Sequence, residues 1–402
     1  MTAHRPSVAI DPALMVVLAG VSAALHVGKL PPAIPVLQEA LGITLVQAGF
    51  LLSLVQFAGL SLGLVAGLLA DGLGLRRSMV TGLLVLALAS LLGGIWRDAT
   101  ALMVLRALEG LGFLLTVAPA PGLIRRLVAP QRMSSMLGLW GAYMPLGAAL
   151  ALLAGPAVIA AVGWPGWWWG LSLLSLLCAA GLWVAVPVDP PVAAAQRPQG
   201  WGRRLGQTLS APGPWLVALC FALYAGQWLA VIGFLPSVYQ QAGITGGVAG
   251  LLTALVAAVN IAGNIGSGRW LQRGVPAPRL LALGYVVMAL GAVAAFASDA
   301  QGQGLPAALR YAAVLLYSAV GGMIPGTLFS LAVRLAPGEQ TVSATVGWMQ
   351  QWSAIGQFLT PPLVAWLAAC SGGWRWTWVV TGCCSLMGLV LSGVLARRLR
   401  TP

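Results

Sequence analysis

Three ionisable side chains stand inside stretches that are otherwise apolar: Lys29, Arg106 and Glu109. A charge in a low-dielectric interior costs several kcal/mol unless it faces a partner or water. Ser22, His26 and Lys29 are spaced four and three apart, so on a helix they share one face. Lys29 is the only lysine of the chain. Held in mid-span, its ammonium would set a positive field for a solute of opposite sign. Alternatively, its long stem lets the charge snorkel to an outer surface. Arg106 and Glu109 are three apart and can pair along one helix face. That pair either neutralises itself and fixes its helix, or it makes Glu109 a proton carrier.

The elements that must position these groups are membrane helices. The 402 residues are 59% hydrophobic and 7% charged, with a mean hydropathy of +0.91. A water-soluble fold of that length needs more charge to cover its surface, so most of the solvent here is lipid. Only helices satisfy their backbone within one lipid-exposed segment. Runs long enough to cross a bilayer, ~20 residues each, fall near 13–35, 46–70, 77–96, 101–123, 133–160 and 166–187. A second set falls near 212–236, 246–270, 279–298, 308–334, 340–367 and 375–396. The fold class this predicts is all-α: twelve transmembrane helices in two pseudo-symmetric six-helix bundles.

The two sets are copies. Displaced by 201 residues, Pro35, Gly42, Ile43 and Thr44 fall on Pro236, Gly243, Ile244 and Thr245, and Ala48-Gly49 falls on Ala249-Gly250. Further on the offset drifts: Arg106 matches Arg310 at 204, and Gly147 matches Gly356 at 209. Two repeats of one orientation are a transporter architecture. The expected units are residues 1–187, a cytoplasmic linker at 188–211 rich in Pro, Gln, Arg and Gly, and residues 212–402. The repeat places Gln227 where His26 stands, with Tyr224 three residues before it. A polar face in each half is what a site between halves calls for. In the second span Gly59, Gly63 and Gly67 form a stripe of small residues. The eighth span carries Asn260, Asn264 and Gly268 there, for packing with interhelical hydrogen bonds or for solute contact. Tyr143 and its counterpart Trp352, with Gln351 beside it, are further lining candidates, and aromatic packing is their alternative role.

Arginine sets the orientation. With both termini in the cytoplasm, most of the 21 basic residues lie inside, as the positive-inside rule requires. The net charge of +13 is spread over many short loops, which excludes a nucleic-acid face. Trp164, Trp167, Trp168 and Trp169, and in the other half Trp374, Trp376 and Trp378, are expected in the interfacial belt. The five cysteines have no metal-ligand spacing. There is no phosphate-binding Gly-x-x-x-x-Gly-Lys-[Ser/Thr], and no cofactor is expected.

Between the second and third spans runs Gly67-Leu68-Leu69-Ala70-Asp71-Gly72-Leu73-Gly74-Leu75-Arg76-Arg77. It resembles the loop signature of the major facilitator superfamily, departing at Gly72 and Leu75. Arg106-Ala107-Leu108-Glu109-Gly110 resembles that family's Arg-x-x-x-Gly motif in the fourth span. Gly28-Lys29-Leu30-Pro31-Pro32-Ala33-Ile34-Pro35 resembles the first span of the cyanate and nitroimidazole permease branch. The resemblance covers nearly the whole chain. It implies a gating loop built from Gly67, Asp71, Gly74, Arg76 and Arg77, and a monomer that moves a small molecule across an inner membrane by rocking two halves. The first expectation is a secondary transporter of a small anionic solute, with Lys29, His26 and Arg106 supplying the field. The rival is a proton-coupled exporter of hydrophobic or cationic compounds, for which Glu109 is the acid. An intramembrane enzyme finds no metal or nucleophile constellation to support it.

Overall fold

The computed structural model describes residues 11–64, 74–129, 132, 136, 139–189, 201–298, 303–338 and 341–399. Among them every regular element is helical. The first half supplies α1 (Pro12–Leu41), α2 (Leu45–Leu62), α3 (Leu75–Ile95) and α4 (Ala99–Leu127). A 43-residue stretch, Tyr143–Ala185, then follows. At 1.5 Å per residue it is about twice the thickness of a bilayer core. It divides at Gly163, whose φ of 73° and ψ of 169° suit glycine. The result is α5 (143–162) and α6 (164–185). The second half supplies α7 (Pro212–Gln241), α8 (Gly246–Gln272), α9 (Ala277–Phe296), α10 (Ala307–Arg334), α11 (Val342–Ser371) and α12 (Thr377–Arg398). These are the twelve crossings expected from hydropathy. Within the expected linker, Trp201–Ser210 forms a short helix, and the tie of its Leu209 carbonyl to the Trp215 indole fixes it to α7.

Each bundle hides one stripe of a helix and leaves the other to lipid. On α3, Met79, Leu83, Leu86 and Ser90 are buried, whereas Leu84, Leu88, Leu91 and Ile95 remain uncovered. Alternating direction along the twelve crossings gathers Arg76, Arg77, Arg125, Arg126, Arg269, Arg334 and Arg397 on one face, the arginine-rich face.

Besides a contact of α7 with α1 and α2, where Gly233 lies on Leu52, the halves meet along two seams. On one, α5 packs against α8, with Gly250 lying on Leu152 and Pro156. On the other, α2 packs against α11, Gly49 on Pro362 and Ala365, and Gly59 on Ala354. Among the described residues, three hydrogen bonds cross between the halves, all on this second seam. Gln56 donates to the Gln357 side-chain oxygen at 3.1 Å. Gln351 donates to the Leu60 carbonyl at 2.7 Å and accepts from the Leu64 N–H at 3.1 Å. Gln351 thus serves the end of α2, whose last carbonyls have no partner within the helix.

Of the expected gating loop, Gly67 and Asp71 lie outside the described residues, whereas Gly74, Arg76 and Arg77 begin α3. Among the described residues, the acid that holds them is Asp189, just past the end of α6. Its carboxylate accepts the N–H groups of Arg76 and Arg77 at 3.1 and 3.0 Å and pairs with Arg126 at 3.0 Å. Gly74, with φ 88°, touches this carboxylate where a Cβ would collide with it. Arg76 lies over the Trp183 ring, 4.3 Å from its centroid, and donates to the Trp183 carbonyl.

Burial raises the Asp189 pKa, but the backbone donors of Arg77 and Arg76 and then the Arg126 guanidinium outweigh it, so the net shift is downward. A depressed carboxyl stabilises the fold above the ordinary aspartate range, ~4, and loses that contribution as pH falls through its folded value. Asp189→Ala should remove about 1–2 kcal/mol, as for a lost helix cap. Thermal unfolding in detergent should show an acid-side loss of stability in the wild type that the variant lacks. Parallel pH profiles would contradict this assignment.

Candidate functional site

The site grows from a fault in α1. Pro31 and Pro32 follow Lys29 and lack the N–H that would bond back into the preceding turn, so the helix is interrupted at Lys29. The carbonyls left near that point are taken by a side chain from another helix. Arg106 on α4 donates to the His26 carbonyl at 2.5 Å and to that of Val27 at 3.4 Å. Its Nε donates to the Leu51 carbonyl at 3.0 Å, just before α2 tightens into a 3-10 turn at Leu54–Gln56. One helical turn on, Gly110 lies against the Val55 carbonyl, where any side chain would collide. The Arg-x-x-x-Gly spacing therefore does two things: the arginine caps the faults of two helices, and the glycine lets α4 reach them.

Glu109 sits between the cations. Its Oε2 pairs with Arg106 at 2.7 Å, and its Oε1 with the Lys29 ammonium. Lys29 is fully saturated: besides Glu109 it donates to Ser90 Oγ at 3.0 Å and lies 4.5 Å from the centroid of the Trp168 ring. Ser90 in turn donates to the Trp168 carbonyl at 2.9 Å, and the Trp167 indole donates to the Lys29 carbonyl at 3.3 Å. Lys29 is 0% exposed, and Arg106 and Glu109 are each 2% exposed. Two cations and one carboxylate leave a buried excess of one positive charge, uncompensated among the described residues.

His26, also fully buried, completes the group. Its Nε2 is 2.8 Å from Ser175 Oγ, which is 3.2 Å from Ser22 Oγ. Its Nδ1 faces Glu109 Oε1 at 3.7 Å and has no hydrogen-bond partner. A narrow crevice walled by Leu37, Leu51, Leu102 and Leu105 ends on Arg106 and Glu109. Leu37 and Leu102 lie near the α1 and α4 ends remote from the arginine-rich face.

The two polar faces expected to look at each other turn instead into their own bundles. Ser22, His26 and Lys29 meet α3, α4 and α6. Gln227 accepts from Ser385 at 3.0 Å and from Tyr317 at 3.4 Å, both in its own half. Asn260 donates to Tyr224 Oη and to the Ser318 carbonyl, both at 2.9 Å, and Asn264 leans on Asn260 at 3.0 Å. Tyr143 stacks on Trp140, centroids 4.4 Å apart, and Trp352 belongs to a cluster with Trp215 and Trp348. Lys29 neither snorkels nor stands free; it is paired inside the bundle.

The tryptophan belt needs correction. Trp164, Trp167, Trp168 and Trp374 are 4–7% exposed and pack inward, while Trp169 and Trp376 stay uncovered. Sequence reasoning missed Ser90, Ser175, Trp168 and Gln56. A serine within an otherwise apolar run is the only mark of the first two.

Removing one member of a buried pair strands the others, at about 3–5 kcal/mol. Glu109→Gln, which leaves two cations facing one another, should therefore lower the unfolding temperature far more than Lys29→Met, which leaves the Arg106–Glu109 pair neutral. Equal loss in both, read by thermal unfolding in detergent, would show that the carboxylate is not the shared counter-ion.

The chain is 24% identical over 396 residues to the cyanate transport protein CynX of Escherichia coli (strain K12), covering 97% of this chain and 98% of that protein. It is 36% identical over 134 residues to the puromycin resistance protein pur8 of Streptomyces alboniger, 33% of this chain and 26% of that one. A bacterial homologue of the human lysosomal transporter Spinster, solved inward-facing and unoccupied, superposes with a TM-score of 0.76 at 14% identity, covering 96% of each chain; at that identity the likeness concerns the fold alone. The model of the Major Facilitator Superfamily matches residues 13–355 and 217–402. This chain is an integral membrane transporter and belongs to the Major Facilitator Superfamily.

Proposed function

We propose that this transporter moves a small anionic solute by alternating access. The observation that carries the reading is the buried excess of one positive charge at Lys29, Arg106 and Glu109. A charge of that kind in a low-dielectric interior attracts a mobile counter-ion more strongly than any surface group does. The full-length likeness to a protein named for cyanate transport agrees with an anion of a few atoms. In this reading His26, Lys29 and Arg106 supply the field. Ser22, Tyr143, Tyr224, Gln227, Asn260, Asn264, Gln351 and Trp352 belong to the path or to the frame that shapes it. The leucine-walled crevice is the approach to the charge. The units that rock are residues 1–187 and 212–402, joined by 188–211. The arginine-rich face is cytoplasmic, the membrane is the inner membrane, and one chain suffices. Asp189 and the start of α3 serve the inner gate.

The efflux alternative has less support. Glu109 is already shared by two cations, which leaves little attraction for a cationic drug, and the likeness to the puromycin resistance protein spans a quarter of that protein.

Purified protein in liposomes should take up labelled cyanate above the level of protein-free vesicles. Lys29→Met, which cancels the charge excess, should reduce that uptake at least tenfold while the protein still purifies folded. Unchanged uptake by Lys29→Met would end the anion reading.

A further inference from the structure

Within the anion reading, we infer that His26 is the proton site of the transport cycle, and that one proton travels with each monovalent anion. The geometry points to the imidazole. His26 is fully buried, one nitrogen is engaged by Ser175, and the other has no partner although a carboxylate oxygen lies 3.7 Å away. An unpaired buried polar atom is costly, and a carboxylate only accepts, so Nδ1 must carry a hydrogen to bond Glu109: the neutral ring then has to accept from Ser175 at Nε2, whereas the imidazolium donates from both nitrogens. Charged and titratable groups face the ring from its own helix, from α4 and from α6. Lys29 lies on its own helix. Arg106 and Glu109 face it from α4, Arg106 through the His26 carbonyl. From α6 come Ser175 and, in reach of Ser22, the Cys178 thiol.

In the neutral ring with its hydrogen on Nε2, that N–H donates to Ser175 Oγ, the hydroxyl can pass its own hydrogen bond to Ser22 Oγ, and the Nδ1 lone pair faces Glu109. A proton given up by hydronium to the Glu109 carboxylate at the end of the leucine-walled crevice leaves water there and passes from Glu109 Oε1 to Nδ1, which restores the carboxylate. The imidazolium then donates from Nδ1 to Glu109 Oε1 and still donates from Nε2 to Ser175. The local charge rises from +1 to +2, which two neighbouring cations oppose. Arrival of one anion returns it to +1. The anion and the proton therefore lower each other's binding cost, and linkage makes that reciprocal.

The repeat supplies a structural control. Gln227 occupies the place of His26, and Ser385 meets it as Ser175 meets His26. A glutamine in that setting keeps a side chain–serine hydrogen bond and cannot titrate. His26→Gln is thus a substitution that the fold already accommodates in its other half.

The test uses labelled cyanate in liposomes with an imposed pH gradient, protein-free vesicles being subtracted. For one proton per anion, steady-state accumulation should rise about tenfold for each pH unit of acid outside, and His26→Gln should lose that response. Independently, the chain holds only two histidines, His4 and His26. With ¹⁵N-histidine in nanodiscs, addition of cyanate at constant pH should therefore convert one buried ring to imidazolium. A wild type that takes up cyanate without regard to the gradient would overturn the inference and leave the anion reading standing. So would a His26→Gln variant with the full gradient response, or a His26 ring that stays neutral with cyanate present. Absence of cyanate uptake under any gradient would remove the anion reading, and this inference with it.

Discussion

One carboxylate shared by two cations, away from water, organises the first half of this transporter. Glu109 can stay ionised there only because Lys29 and Arg106 are within reach, and each cation is tolerated only because the carboxylate and several neutral acceptors are ready for it. The acceptors are not incidental. They exist because prolines after Lys29 interrupt α1 and because α2 tightens just beyond Leu51, which leaves carbonyls for Arg106 to take. Helix faults and charge cluster therefore depend on each other. Straightening α1 would take the His26 and Val27 carbonyls from the guanidinium, and deleting the guanidinium would strand those carbonyls.

The second half performs the same packing without charge. Gln227, Tyr317 and Ser385 replace the ionic group by amide and hydroxyl contacts, and Asn260 ties α7, α8 and α10 together. Among the described residues, the duplicated frame thus carries a buried ion cluster in its first half only. The two halves are joined differently along their two seams as well. The α5–α8 seam is apolar, whereas the α2–α11 seam adds the Gln56–Gln357 and Gln351 hydrogen bonds.

The spans were legible because bilayer thickness and the absence of water leave one solution for each apolar run. The break between α5 and α6 was legible as a boundary, though it is made by Gly163 alone rather than by a loop. Lys29, Arg106 and Glu109 stood out for the same reason as the spans: a charge among apolar residues needs an explanation. Their pairing was not legible. Lys29 finds Glu109 80 residues away and Ser90 61 residues away, and His26 finds Ser175 at a distance of 149. No local periodicity encodes such contacts. Trp168 stands beside other tryptophans, a pattern that points to the headgroup layer, whereas its ring closes over the ammonium. Asp189 was hidden because the loop it serves has its own acid, Asp71.

The central claim is that the buried positive excess is what a small anion recognises. It is tested most directly by ligand-dependent thermal unfolding of the purified transporter with cyanate at fixed ionic strength. The account predicts a concentration-dependent rise in unfolding temperature for the wild type and none for Lys29→Met. A rise of equal size in both proteins would contradict it.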